Sequence, residues 1–277
     1  MNNLLQRTLS GAGFIVVMLA CLLLNQWLFA ALVLFMTVTM MLEFYRMSIG
    51  KRQRAGQYLA LFSGVCLFCL QFAIAGFGLP VHFAALALVP ILATMISAIF
   101  AKEQGAVADY AYILTGLIYI AAPLSLSNQV AFHGGHFGAS LLLCFFILIW
   151  CSDIGAYLLG TAFGQKENSR KLAPHISPKK SWVGFWSGMV TCVLVALALC
   201  LVGLLDIPVL HGCALAVIVH CGGVCGDLFE SLWKRHFGVK DSGNLIPGHG
   251  GMLDRFDSTL IAMPLGALYL SLTGYLV

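Results

Sequence analysis

Apolar runs of about 20 residues recur along the whole chain, and short polar connections separate them. A helix that crosses a bilayer needs about 20 predominantly apolar residues, so each run predicts a membrane-spanning helix. The predicted spans cover residues 10–25, 26–46, 57–76, 81–100, 109–128, 139–162, 183–204, 208–230 and 255–276. The pattern therefore predicts an all-α fold, a polytopic helical bundle with about nine transmembrane helices.

The composition and the placement of charge support a membrane protein with a defined orientation. The chain is 60% hydrophobic and 9% charged, and its mean hydropathy is +0.94, which is typical of a chain solvated by lipid. Most basic residues lie in the connections after the second, fourth, sixth and eighth spans. Because short basic connections stay in the cytoplasm, these connections are predicted to be cytoplasmic and both termini external. The N-terminus changes sides if the first two spans form a re-entrant hairpin.

The two halves of the chain differ in character within one integral-membrane unit. Residues 1–140 are predicted to form N-terminal transmembrane helices and carry few acidic groups. Residues 141–277 carry the long polar connections and the acidic residues at the ends of spans, so catalytic helices and cytoplasmic loops are expected there. The ten cysteines lie mostly in apolar spans, which favours small buried side chains over metal or redox roles.

Carboxylates mark the end of the eighth predicted span and the start of the ninth. Asp227 and Glu230 are three residues apart and therefore share a helix face, and Asp254 and Asp257 repeat this spacing. A carboxylate at the edge of hydrocarbon is costly unless a cation meets it. Mg²⁺ typically takes one or two carboxylates together with phosphate oxygens and water. The acidic residues therefore predict a site for a hard divalent cation.

Basic residues surround these carboxylates in the connection between the two spans. Their positive charge suits a polyphosphate, and the residues are Lys234, Arg235, Lys240 and Arg255. The alternative interpretation of this connection is a solvated loop whose charged side chains snorkel away from the lipid. The positive charge does not indicate nucleic-acid binding, because no basic stripe interleaved with aromatic residues accompanies it.

One continuous stretch resembles the signature of a known family. The stretch runs from Ser231 to Asp257, SLWKRHFGVKDSGNLIPGHGGMLDRFD. It resembles the signature of the CDP-diacylglycerol synthases, or phosphatidate cytidylyltransferases, S-x2-K-R-x4-K-D-x-G-x2-[LI]-P-x-H-G-G-x2-D-R-x-D. Every fixed position of that pattern is met. The segments WCSDIGAYLLG at 150–160 and KLAPHISPKKSWVG at 171–184 are similar to two further family segments, from which Ile154 and Val183 depart.

The resemblance implies a reaction and a set of site residues. It implies that CTP and phosphatidic acid give CDP-diacylglycerol and pyrophosphate, with Mg²⁺ and a possible second cation, monovalent or divalent. The residues that it implies for catalysis are Asp227, Lys240, Asp241, Asp254, Arg255 and Asp257. Those that it implies for substrate binding are Lys179, Lys180, Ser181, Lys234, Arg235, His249 and Asp153. Asp227 and Asp254 are the expected metal ligands.

The same resemblance implies partners and a location. The expected partners are CTP, phosphatidic acid and the lipid bilayer, and no nucleic acid is expected. A homodimer is one alternative that stays open for the oligomeric state. The expected location is the bacterial inner membrane, with the active site facing the cytoplasm.

Other functions stay open at the sequence level. A CTP-dependent polyprenol kinase would also use CTP and a lipid, but it would transfer the γ-phosphoryl group and release CDP. An ion or proton transporter could use intramembrane acids such as Asp153, Asp227 and Asp254. The motif of the CDP-alcohol phosphatidyltransferases, D-G-x2-A-R-x8-G-x3-D-x3-D, does not occur in the chain.

Overall fold

Helices occupy every predicted span. The computed structural model describes residues 3–102, 105–165, 169–245, 248 and 250–276, with side chains from residue 11 onward. Its helices are α1 (Asn3–Leu24), α2 (Gln26–Ser48), α3 (Arg54–Phe77), α4 (Val81–Phe100), α5 (Ala106–Ala131), α6 (Ser140–Phe163), α7 (Trp182–Leu201), α8 (Val209–His236) and α9 (Leu253–Leu272). In the described part of the chain, the 7 helices from α2 to α8 are long and apolar enough to cross a membrane. The predicted all-α membrane bundle is therefore confirmed.

Two of these helices change their winding along their length. In α4, 3-10 turns over Val81–Ala87 and Ala98–Phe100 flank the α-helical part. In α5, a π-helical segment interrupts the helix over Leu117–Ala121. The interruption lies where Pro123 cannot donate an N–H to the carbonyl of Tyr119, because proline has no amide hydrogen.

The structure corrects two details of the connections. The connection before α7, expected as a loop, contains an antiparallel hairpin of β1 (Lys171–Ala173) and β2 (Ser177–Ser181). Helix α8 continues past its predicted end at residue 230, so Lys234 and Arg235 lie in its last turn. Cations in a last turn interact favourably with the negative end of the helix dipole, which explains why the helix extends through them.

The chain forms two compact units, and neither is continuous in sequence. The first unit consists of Met1–Phe137 and Phe237–Phe256, and the second of Gly138–His236 and Asp257–Val277. The long connection before α9 and the first residues of α9 thus belong to the first unit.

In the first unit, about half of α2 is buried among its neighbours. The Tyr45 ring is fully buried, and its hydroxyl donates a hydrogen bond of 2.9 Å to the carbonyl of Ile113. A β-carbon at Gly116 would lie 2.6 Å from that ring, so the absence of a side chain there lets α5 approach α2. At the edge of the unit, Arg52 binds both oxygens of Asp109 at 2.8 and 3.1 Å.

In the second unit, small residues let α6, α7, α8 and α9 approach closely. A β-carbon at Gly160 of α6 would lie only 3.0 Å from the Cα atom of Gly184 in α7. Likewise, a β-carbon at Gly226 of α8 would lie 3.0 Å from the Cα atom of Ser258 in α9. Small residues at such crossings are typical of helices that pack by van der Waals contact within lipid.

Candidate active site

Asp227 is the centre of a polar cluster in the second unit. It lies on α8, and its side chain is 35% exposed. The Lys180 Nζ atom, carried by β2, lies 2.6 Å from Asp227 Oδ2. The Ser231 hydroxyl, one helical turn further on, donates to Asp227 Oδ1 at 3.3 Å. The hairpin therefore brings a cation to a carboxylate at the end of a membrane span.

Two further carboxylates lie within electrostatic range of Asp227. They belong to Asp153 of α6 and Asp257 of α9. Lys234 is within electrostatic range of Asp257, and the Ser258 N–H donates to Asp257 Oδ1 at 2.7 Å. Like charges repel strongly where water is scarce, so carboxylates gathered in this way favour the binding of cations.

A buried ion pair supports the end of α8. Glu230 is fully buried, and its carboxylate pairs with Lys234 one helical turn further along. Burying a charge is costly unless a partner meets it, so the pair fixes Lys234 beside the cluster. The phosphate-binding role expected for Lys234 stays a prediction.

The remaining predicted residues of the second unit have different surroundings. Ser181 is 4% exposed, and its hydroxyl accepts a 3.2 Å hydrogen bond from the Gly184 N–H, which caps α7. Lys179 and Arg235 are exposed. The contact observed for Ser181 is that of a helix cap, and its expected role in substrate binding stays a prediction.

In the first unit, Asp254 binds the connection between α8 and α9 (residues 237–252, here called the signature connection) at the start of α9. Three donors converge on its Oδ2 atom. They are the Ser242 N–H and the Ser242 hydroxyl, both at 2.9 Å, and the Gly251 N–H at 2.8 Å. A carboxylate held by several N–H and O–H donors has its charge stabilised and its position fixed.

Glu43 is part of this arrangement, although the sequence did not single it out as a site residue. It lies on α2, is 4% exposed and accepts hydrogen bonds from the N–H groups of Met252 and Leu253 at 3.0 and 2.8 Å. The available signal was a lone carboxylate inside an apolar span, which is rare unless a partner or a function retains it.

The other predicted residues of the first unit are exposed. They are Lys240, Asp241 and Arg255. His249 lies outside the described residues, and so do Ile246 and Pro247 of the signature.

The donor groups fit a magnesium ion that arrives with a nucleotide. Within the described ranges, no three His, Cys, Asp or Glu side chains lie together in a way that could hold a metal ion by themselves. Mg²⁺ does not require such a group, since it typically takes one or two carboxylates and completes its shell with phosphate oxygens and water. Carboxylates such as Asp227 and Asp254 are suited to this manner of binding.

Known proteins resemble the chain over most of its length. The model of the cytidylyltransferase family matches residues 5–273. A phosphatidate cytidylyltransferase of Haemophilus influenzae is 44% identical over 152 residues, which is 53% of this chain and 51% of that protein. One of Bacillus subtilis is 36% identical over 179 residues, 65% of each chain. One of Staphylococcus saprophyticus is 35% identical over 167 residues, 60% of this chain and 61% of that protein.

The matched stretches thus span between 51% and 65% of these relatives' lengths. The family model reaches further, from α1 to the end of α9, and includes Asp227, Asp254 and Glu43. The resemblance carried by the stretch from Ser231 to Asp257 is confirmed. The chain belongs to the cytidylyltransferase family.

Proposed function

We propose that the protein is a phosphatidate cytidylyltransferase, a nucleotidyltransferase of phospholipid biosynthesis. It transfers the cytidylyl group of CTP to phosphatidic acid and forms CDP-diacylglycerol and pyrophosphate. The names of the relatives from three bacteria support this assignment. The observation that carries it is the cluster at the end of α8, where Lys180 pairs with Asp227 and two more carboxylates lie in electrostatic range.

The reaction needs positioning and neutralisation of charge more than covalent help. A phosphate oxygen of the lipid forms a bond to the α-phosphorus of CTP. The bond from that phosphorus to the oxygen bridging to the β-phosphate breaks, and pyrophosphate leaves. Negative charge is present on the attacking group, the transferred group and the leaving group, so fixed cations lower the barrier.

The basic residues of the signature and the hairpin supply those cations. Lys180 and Lys234 are already fixed by ion pairs with carboxylates, so little side-chain freedom is lost when a phosphate binds. Arg235, Lys240 and Arg255 are exposed and therefore accessible to a polyphosphate. Asp241 follows Lys240 directly and is exposed as well.

Asp227 and Asp254 would hold Mg²⁺ together with phosphate oxygens of the nucleotide. The ion would neutralise charge on the phosphates, which the protein's own carboxylates cannot do. A second cation, monovalent or divalent, belongs to the same proposal, because Asp153 and Asp257 add negative charge near Asp227.

The proposed location is the bacterial inner membrane, with the reaction on its cytoplasmic side. The relatives are bacterial, and CTP is a cytoplasmic nucleotide. The excess of Lys and Arg in the connections before α7 and α9 supports a cytoplasmic position for both. A homodimer stays one expectation for the assembly.

The test uses purified protein in detergent with phosphatidic acid, Mg²⁺ and CTP labelled either at the α- or at the γ-phosphorus. The α-label should enter the lipid, and the γ-label should leave as pyrophosphate. Reactions without lipid, or with a chelator in place of Mg²⁺, serve as controls. Transfer of the γ-label to the lipid with release of CDP would instead identify a lipid kinase and refute the proposal.

A further inference from the structure

We infer that Glu43 is a positioning residue for the transfer reaction, since its buried carboxylate fixes the signature connection and the start of α9. The inference rests on the proposed function and deepens it. Glu43 does not belong to the signature, and it is separated from the residues that it binds by about 200 positions in sequence (199 to Ser242, 210 to Leu253).

Both carboxylate oxygens of Glu43 accept hydrogen bonds from this part of the chain. Oε1 accepts from the Met252 N–H at 3.0 Å, and Oε2 accepts from the Leu253 N–H at 2.8 Å. The Ser242 hydroxyl makes a longer contact of 3.4 Å with Oε2. The N–H groups at the start of a helix have no partner within the helix, and the helix dipole favours a negative charge there.

Two glycines of the connection also lie against the Glu43 carboxylate. A β-carbon at Gly243 would lie 2.6 Å from Glu43 Oε1, and one at Gly251 would lie 2.6 Å from Glu43 Oε2. Neither glycine has a positive φ in this structure. The absence of a side chain at these positions leaves room for the Glu43 carboxylate and, at Gly251, also for the Ser242 hydroxyl. Neither glycine is needed for a special backbone conformation.

The Glu43 contacts continue to Asp254, an expected metal ligand. The Ser242 hydroxyl touches Glu43 and also donates to Asp254 at 2.9 Å. The Gly251 N–H donates to Asp254 as well, and Met252 and Leu253 follow it directly in sequence. Moving the segment off Glu43 would therefore shift Asp254.

The first test is Glu43→Gln, which keeps the shape of the side chain but replaces one acceptor oxygen with a donor. Hydrogen exchange of the Met252 and Leu253 amides should become about tenfold faster, and kcat should fall at least about tenfold, which corresponds to about 1.4 kcal/mol. Asp206→Asn makes the same chemical change at an exposed position and should leave both quantities unchanged.

A second variant approaches the contact from the connection. Gly243→Ala places a methyl group against the Glu43 carboxylate and should produce the same faster exchange at Met252 and Leu253. If either variant purifies poorly, the other still tests the contact. Amides that keep their wild-type protection in the variants would overturn the inference.

The exchange pattern separates positioning from general support of the fold. Positioning predicts faster exchange confined to the signature connection and the first turn of α9. Equal acceleration throughout α2 and α3 would mean that Glu43 only stabilises the unit, and this would also overturn the inference. A wild-type protein without cytidylyl transfer would refute the proposed function, whereas the exchange data would still decide whether Glu43 anchors the connection.

Discussion

Asp227 and Asp254 are neutralised in different ways. Asp227 faces the ammonium group of Lys180 at 2.6 Å, whereas three N–H and O–H donors converge on one oxygen of Asp254. A single ion pair with a lysine can be exchanged when a stronger cation binds, whereas two backbone N–H groups and one hydroxyl together fix the Asp254 carboxylate in place. Substitution should therefore affect the charge of the cluster at Asp227 and both charge and geometry at Asp254.

For these two residues we predict that Asp227→Asn and Asp254→Asn each abolish turnover. Each change removes a negative charge with little change in shape, so each removes an expected ligand of the metal. The loss should be roughly a thousandfold or more in kcat, measured as initial rates at saturating Mg²⁺ and CTP. Both variants should still insert in the membrane and purify normally.

Asp206→Asn is the matched control, because Asp206 is an exposed carboxylate in the connection between α7 and α8. It should retain full activity. Near-normal rates in the Asp227 or Asp254 variant would mean that the metal binds elsewhere.

Helices of the second unit pack so closely that one added methyl group should destabilise the fold at certain positions. A β-carbon at Gly226 of α8 would collide with the backbone of α9 at Asp257 and Ser258. We predict that Gly226→Ala lowers the free energy of unfolding by about 1–3 kcal/mol, the usual cost of overpacking. The measurement is the thermal unfolding temperature in detergent.

Gly223→Ala is the matched control on the same helix. Its β-carbon would have the Ser258 side chain as nearest neighbour at 3.6 Å, an ordinary van der Waals distance. The unfolding temperature of this variant should stay close to that of the wild type. Equal destabilisation by both substitutions would mean that any added methyl group on this part of α8 is destabilising. It would contradict the specific close contact between Gly226 and α9.

The existence of the helices could be predicted from hydropathy because lipid requires long apolar runs. The ends of helices were less predictable, since Lys234 and Arg235 read as loop residues but stabilise the last turn of α8. The β1–β2 hairpin has no apolar pattern to indicate it. Motif spacing indicated the carboxylates of the signature, whereas Glu43 acts through contacts that are remote in sequence and that spacing cannot reveal.

For the whole molecule, the distribution of basic residues predicts the orientation in the membrane. Reporters inserted at Lys171 in β1 and at Lys240 before α9 should both report the cytoplasm, and one at Gly135 between α5 and α6 should report the outside. Each reporter is read by its accessibility in intact cells and in opened membranes. Opposite sides for positions 171 and 240 would contradict the predicted orientation.

The contact of Glu43 with Met252 and Leu253 also sets an order of events during synthesis. The ribosome must add 210 residues after Glu43 before Leu253 exists, which takes on the order of ten seconds or longer. Until then α2 carries a carboxylate without these partners. The first unit is thus completed only by a late segment of the chain. An unfinished chain therefore has an unpaired Glu43 carboxylate in α2, which the finished chain does not have.

We predict that proteases that remove faulty membrane proteins degrade chains in which Glu43 lacks these partners. A chain that stops after His236 lacks the partners of Glu43, and pulse-chase labelling should find it degraded faster than the full chain. In the shortened chain, Glu43→Gln should slow degradation, because a neutral amide is less costly to leave unpaired than a charge. In the full chain the same substitution should have the opposite effect. An effect of equal sign in both chains would mean that Glu43 does not report completion of the chain.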